Sequence, residues 1–207
     1  MRLYIIRHGE TDWNNEMRLQ GRSDIPLNEY GVHLAKLTSE ALKDIKFDEI
    51  YSSPLKRAYD TAVIIRGDRA VDIKKDDRLI EMSFGDYEGV ETRMLPADFH
   101  MFFDAPDKYS AAPNGESFYD VIARAKDFTE NVIIPKAASI DSMLIVAHGA
   151  FINGLNTYIL KRDIKDYWAG IFPRNCAVTS YDVTGDYFDL VSYGDIYYTE
   201  QEGKRYK

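Results

Sequence analysis

Cysteine is nearly absent from this chain. The 207 residues hold one, Cys176, which excludes an internal disulfide and any metal site built from several thiolates of one chain. Basic residues are outnumbered, with 26 Lys and Arg against 34 Asp and Glu, for a formal net charge of −8. That balance argues against nucleic acid or an anionic membrane as the main partner, because both demand a basic face. An anion bound here must sit in a local basic pocket. Long hydrophobic runs are missing too. Only the short apolar run Leu3–Ile6 precedes Arg7, which is neither a signal peptide nor a membrane span, so a cytoplasmic location is expected. What remains, 45% apolar and 29% charged residues without repeats or low-complexity segments, is the composition of a soluble globular protein. The length suits one domain with a sizeable core.

The order of patterns is regular. Leu3–Ile6 is long enough for a buried strand and too short for a buried helix. A polar loop follows over 17–26. Tyr30, Leu34, Leu37, Ala41 and Ile45 recur at helical spacing after Asn28, a good N-cap. A second strand is expected at Phe47–Tyr51, then a helix capped by Ser53, with Pro54 in its first turn and Arg57 soon after. A short strand at Val71–Ile73 is also expected. Residues 82–116 are irregular, rich in aromatics, Pro and Gly, with a helical patch near Ala97–Phe103, and read as a lid-like insertion into a single domain spanning 1–207. Ser117 opens a helix carrying Phe118, Val121, Ala125, Phe128 and Val132 on one face. Met143–Ala147 is again a continuous apolar strand, followed by His148, Gly149 and a helix to Leu160. Ala177–Val183 and Tyr187–Tyr193 flank Thr184-Gly185-Asp186 as a hairpin whose edge suits pairing with a second copy in a homodimer. Cys176 reads as a small strand residue, and Tyr198–Lys207 as a loosely held tail.

Strands alternating with helices predict an α/β fold with a mostly parallel central sheet and helices on both faces. Ligands of such sheets bind beyond the carboxyl ends of the strands. Chemistry-bearing residues stand there three times: Arg7-His8-Gly9, then Ser52-Ser53 with Arg57, then His148-Gly149. Alone, Arg7 and His8 would read as a solvated turn and His148 as a satisfied histidine at a strand end. Together they would bring two guanidiniums and two imidazoles to one crevice.

The segments IIRHGETDWN, LQGRSD-IPLNEYG, YSSPLKRAYDTA, LIEMSFGDYEG and IVAHG, in this order, resemble the successive signatures of the histidine phosphatase superfamily, which includes the cofactor-dependent phosphoglycerate mutases and many phosphomonoesterases. The resemblance implies a three-layer sandwich and a set of roles. His8 matches the nucleophile that forms a phosphohistidine, Arg7 and Arg57 the two arginines on the phosphoryl group, and His148 a donor to its equatorial charge. Glu81 matches the acid/base carboxylate, and Asn14, Gln20, Gly21 and Gly149 match positions that line the phosphate or substrate. Four donors around one phosphate imply that no metal and no other cofactor is needed.

The expected function is therefore hydrolysis of a small phosphorylated metabolite. A cofactor-dependent phosphoglycerate mutase is the alternative, and a catalytically silent phosphate-binding regulatory domain a third reading that the complete set of reacting groups disfavours. Residues 82–116 hold only Arg93 and Lys108 as cations against seven Asp or Glu. On that count the lid should repel a second anionic group and suit an aryl or nucleoside-like ester.

Overall fold

A computed structural model describes residues 1–170 and 173–199. In chain order the elements are β1 (Arg2–Arg7), α1 (Asp12–Asn15), α2 (Glu29–Ala41), β2 (Glu49–Ser52), α3 (Lys56–Arg66), β3 (Ile73–Lys75), α4 (Met101–Asp104), α5 (Phe118–Phe128), α6 (Ile134–Lys136), β4 (Ser142–Ala147), α7 (Gly149–Ile159), β5 (Val178–Thr184) and β6 (Tyr187–Asp195). A π-helical turn, Thr129–Ile133, joins α5 to α6. Short 3-10 turns make up most of the regular structure between β3 and α5.

The strands form one sheet in the order β3-β2-β4-β1-β5-β6. The β3-β2, β2-β4 and β4-β1 pairs are parallel, while β1-β5 and β5-β6 are antiparallel. β4 is flanked on both edges, and all of its side chains are buried, as a continuous apolar strand requires. Alternation along the strands divides the interior in two. Leu3, Ile5, Met143 and Ile145 join the core made with α5 and α7, through Phe118, Val121, Ala125, Phe151 and Leu155. Ile6, Leu144 and Val146 point the other way, onto Leu42 and onto Ala58, Ala62 and Ile65 of α3. Helices therefore cover both faces, as the pattern predicts.

Several local expectations are corrected. The buried face of α2 is Gly31, Leu34, Ala35 and Thr38, and Ala41 is exposed, because the helix lies close enough to its neighbours to bury small and polar residues. α3 begins after Leu55 without a side-chain cap, and Ser53 is spent elsewhere. The third strand falls at Ile73–Lys75 rather than Val71–Ile73, next to β2 in parallel register. Cys176 precedes β5 in a left-handed backbone conformation (φ 57°), and burial pushes its thiol up to about 12. The expected loose tail lies mostly outside the described residues, but Tyr198 is tied down, donating its hydroxyl to Asn175 O at 2.8 Å.

One contact sets the loop after β1. The α2 N-cap Asn28 accepts from Gly31 N (2.7 Å) and donates its amide to Glu10 Oε1 (2.9 Å). Gly9 and Gly31 touch backbone to backbone, and a Cβ on Gly31 would collide with the main chain of Glu10. Gly31→Ala is therefore expected to cost about 1–3 kcal/mol through overpacking. Urea unfolding measures this, and an unchanged midpoint would show that the loop can withdraw from α2 freely.

Candidate active site

Parallel register places the site. Arg7 pairs with Ala147 across β1 and β4, and Ser52 with Val146 across β2 and β4, so three neighbouring strands end side by side. His8 N donates to Ala147 O (3.0 Å) and Ser53 N to Val146 O (3.0 Å). His8 and His148 follow adjacent strands, with ring centroids 5.1 Å apart. The first turn of α3 brings Arg57 to the same end.

Both imidazoles are buried and held well below the usual histidine range. For His8 the causes are burial, then the charges of Arg57 and Arg7; for His148 they are burial, then Arg57 and His8. His8 Nδ1 lies 2.7 Å from Gly9 O. A carbonyl can only accept, so Nδ1 carries the proton and Nε2 keeps its lone pair. His148 Nε2 lies 2.8 Å from Ser53 Oγ, and its Nδ1 has no hydrogen-bond partner among the described residues.

Arg57 is fully buried and donates to Ser23 O (2.7 Å) and Gly21 O (2.6 Å); burial lowers its pKa to about 10. Arg7 donates to Pro173 O at 2.7 Å. The Glu81 carboxyl sits on the N-terminus of α7. Oε1 accepts from Phe151 N and Met82 N (both 2.9 Å), and Oε2 from Ala150 N (3.2 Å). Helix starts leave such N–H groups without intrahelical partners, and the carboxyl supplies them. Thr11 caps α1 in a capping box with Asn14. That box uses Asn14 Oδ1, which accepts from Thr11 N (3.1 Å), and leaves the amide NH2 as a donor.

These groups open onto a cavity of about 640 Å³. Arg7, His8, Asn14, Gln20, Gly21, Arg57, Glu81 and Gly149 all line it; His148 is fully buried at its edge, its ring 5.1 Å from that of His8. Gln20 Oε1 is buried there without a hydrogen-bond partner among the described residues. The segment 82–116 contributes Phe84, Thr92, Phe102 and Phe103, and none of its acidic residues reaches the lining. The anticipated repulsion by the lid thus loses its basis.

Sequence reasoning missed the supports. Ser53 is a histidine partner rather than a cap. Glu88 holds the loop whose carbonyls grip Arg57: Oε1 accepts from Arg22 N (2.9 Å) and Phe84 N (3.2 Å), Oε2 from Ser23 N (2.9 Å) and Ser23 Oγ (2.8 Å). Gly21 has φ 51°, and a Cβ there would strike the Glu88 carboxylate. Glu116 links Arg22 (2.9 Å), Ser83 N (2.9 Å) and Arg124 Nε (3.1 Å), and Arg124 in turn donates to Arg78 O (2.7 Å) and to Ile80 O, one residue before Glu81. The only signal for Glu88 was its place in the GDYEG segment. Trp13, inside the IIRHGETDWN segment, also lines the cavity, as do Arg18, Arg174, Trp168 and Tyr198, which carried no local signal.

The fold and this site define a phosphatase of the histidine type. The pattern of the histidine phosphatase superfamily (branch 1) matches residues 3–196, and the chain belongs to that superfamily. Putative phosphoserine phosphatase 2 of Hydrogenobacter thermophilus is 33% identical over 204 residues, spanning 97% of this chain and 98% of that one. Glucosyl-3-phosphoglycerate phosphatase of Mycobacterium tuberculosis is 33% identical over 180 residues, 80% of this chain and 78% of that one. Among solved structures, Bacillus stearothermophilus YhfR superposes with a TM-score of 0.87 at 34% identity, covering 94% of this chain and 97% of its own.

Glu88→Gln turns an NH2 group toward backbone N–H donors and should free the loop over 21–23. Vanadate binding is expected to weaken roughly tenfold or more, with no further loss when the same change is made in Arg57→Ala. Equal losses in both backgrounds would show that Glu88 does not act through Arg57.

Proposed function

We propose that the chain is a metal-independent phosphomonoester hydrolase working through a phosphohistidine on His8. The observation that carries this is the Nδ1 bond of His8 to Gly9 O, which leaves Nε2 unprotonated beside two guanidiniums. An imidazole attacks only when neutral. Burial and the two arginines keep it so even below the usual histidine range. Nε2 attacks phosphorus as the ester oxygen departs, and water then attacks the phosphohistidine and regenerates His8.

Arg7, Arg57, Asn14 and His148 donate to the phosphoryl oxygens as charge spreads over them. The unpartnered Arg57 Nε and His148 Nδ1 are donors in reserve for this step. Glu81 gives its proton to the leaving oxygen and takes one from the incoming water. Oε2, with its single longer bond to Ala150 N, is the oxygen that does so. Gln20, Gly21 and Gly149 shape the floor beside them. The segment 82–116 acts as the lid, its Phe102 anchored by Trp168 Nε1, which donates to Phe102 O at 2.5 Å.

The wider expectations fit this reading. An acidic protein with a local basic pocket takes a small phosphorylated metabolite rather than nucleic acid. The mutase alternative is the less supported one, since the relatives described above are named as phosphatases. No described helix is long and apolar enough to cross a membrane. A cytoplasmic site of action suits the single buried thiol. The outer edge of β6, with Leu190 and Val191 exposed, suits a homodimer.

His8→Ala should abolish both turnover and acid-labile phosphoenzyme in rapid-quench experiments with a chelator present throughout. A wild type silenced by the chelator and restored by a divalent ion would end the metal-independent mechanism. Glu81→Gln should slow the burst on alkyl phosphates about a hundredfold or more, and that on p-nitrophenyl phosphate far less, since its leaving group needs little protonation. Equal slowing of both bursts would remove Glu81 from the acid role.

A further inference from the structure

The cavity is far larger than a phosphoryl group needs, and its outer part has a charge of its own. Four arginines line it, Arg7, Arg18, Arg57 and Arg174, and Glu81 is the one acidic residue among the described lining. Arg7 and Arg57 sit at the floor, buried beside His8. Arg18 is committed elsewhere, donating to Glu16 Oε2 (2.6 Å) and Gly89 O (2.9 Å) and lying 3.6 Å from Glu91.

Arg174 differs from the other three. Its backbone is clamped from both sides: Pro173 O accepts from Arg7, Asn175 Nδ2 donates to His8 O (2.9 Å), and Cys176 N donates to Arg7 O (2.9 Å). The side chain is exposed at the cavity wall beside Tyr198, whose phenol feels its charge, and makes no hydrogen bond or ion pair with the described residues. A guanidinium with a fixed base and a fork unpaired among the described residues, opening onto a phosphate site in a protein of net charge −8, is placed to take a second anionic group.

We propose that Arg174 forms a second anion subsite and that the preferred substrate is a phosphomonoester whose alcohol part carries a carboxylate. The proposal rests on the hydrolase reading and narrows its substrate class. Carboxylate suits this position better than a second phosphate. Among the described residues one unpaired guanidinium faces it, and a planar carboxylate matches the fork in two parallel bonds. The same cavity of about 640 Å³ has apolar and aromatic walls from Trp13, Phe84, Phe102, Phe103 and Trp168, which suit a short carbon skeleton.

Phosphoserine and phosphoethanolamine differ only in the carboxylate, so their kcat/KM ratio reads the subsite directly. Wild type should favour phosphoserine by roughly 10- to 100-fold, the worth of one charge-assisted contact. Arg174→Ala should remove most of that ratio, chiefly through KM, because the contact is made in ground and transition states alike. Arg174→Lys should keep part of it, as a charge without the fork. A wild-type ratio near one, or a ratio unchanged in Arg174→Ala, would overturn the subsite while leaving the hydrolase intact. If wild type releases phosphate from neither ester nor from p-nitrophenyl phosphate, the hydrolase reading falls and the subsite falls with it.

Discussion

Arg57 is a guanidinium buried to zero exposure with no carboxylate bonded to it among the described residues. A charge in that position is costly unless polar groups take the place of water. Two carbonyls do so here, those of Gly21 and Ser23, and they belong to a surface loop with no regular structure to hold it. The loop is kept in place by Glu88, which accepts from its backbone N–H groups, and by the left-handed turn at Gly21 that lets the carboxylate approach. Because a neutral partner satisfies Arg57 in the free protein, its charge stays available to an anion. A carboxylate partner would have spent it.

The same economy appears at Glu81. Its carboxyl is held by the first N–H groups of α7, the helix that follows His148, so the carboxyl is located by the helix that begins at the site. Glu116 then ties the Arg57 loop to the segment leading into Glu81, through Arg22 on one side and through Ser83 and Arg124 on the other. The Arg57 loop and the Glu81 carboxyl are thus set by one connected set of hydrogen bonds. A shift of either would be felt by both.

Sheet register completes the arrangement. Adjacent parallel strands ending level with each other place two imidazoles 5.1 Å apart without any direct bond between them, and burial keeps both neutral. The outer cavity is built differently, from loops and from the segment 82–116. Its aromatic rings pack into the main core through Phe99, Phe102 and Phe118, whose rings stack in sequence at 5.3 and 5.0 Å. Chemistry is therefore anchored on the sheet, and selectivity on elements that can change without disturbing it.

Much of this could be read along the chain. Short apolar runs before Arg7 and His148 defined strands that had to be buried, and their period left the next residues at the strand ends. The gathering of Arg7, His8, Arg57 and His148 at one end of the sheet followed from that, and so did the alternation of strands and helices. Glu81 stood out only through the segment around it. What could not be read was any relation between distant residues: that Ser53 would face His148, that Glu88 would hold the loop over 21–23, or that Arg174 would open onto the cavity. Counting charges within 82–116 misled for the same reason. Those acids lie close in sequence to the cavity's aromatic wall, yet they turn to other partners or to solvent, and the cation that has no partner among the described residues, Arg174, comes from far along the chain. Local sequence determines periodicity, strand ends and turn chemistry, because these depend on near neighbours. The partner of a polar side chain is decided by which segments packing brings within about 3 Å, the reach of a hydrogen bond, and only the tertiary structure decides that.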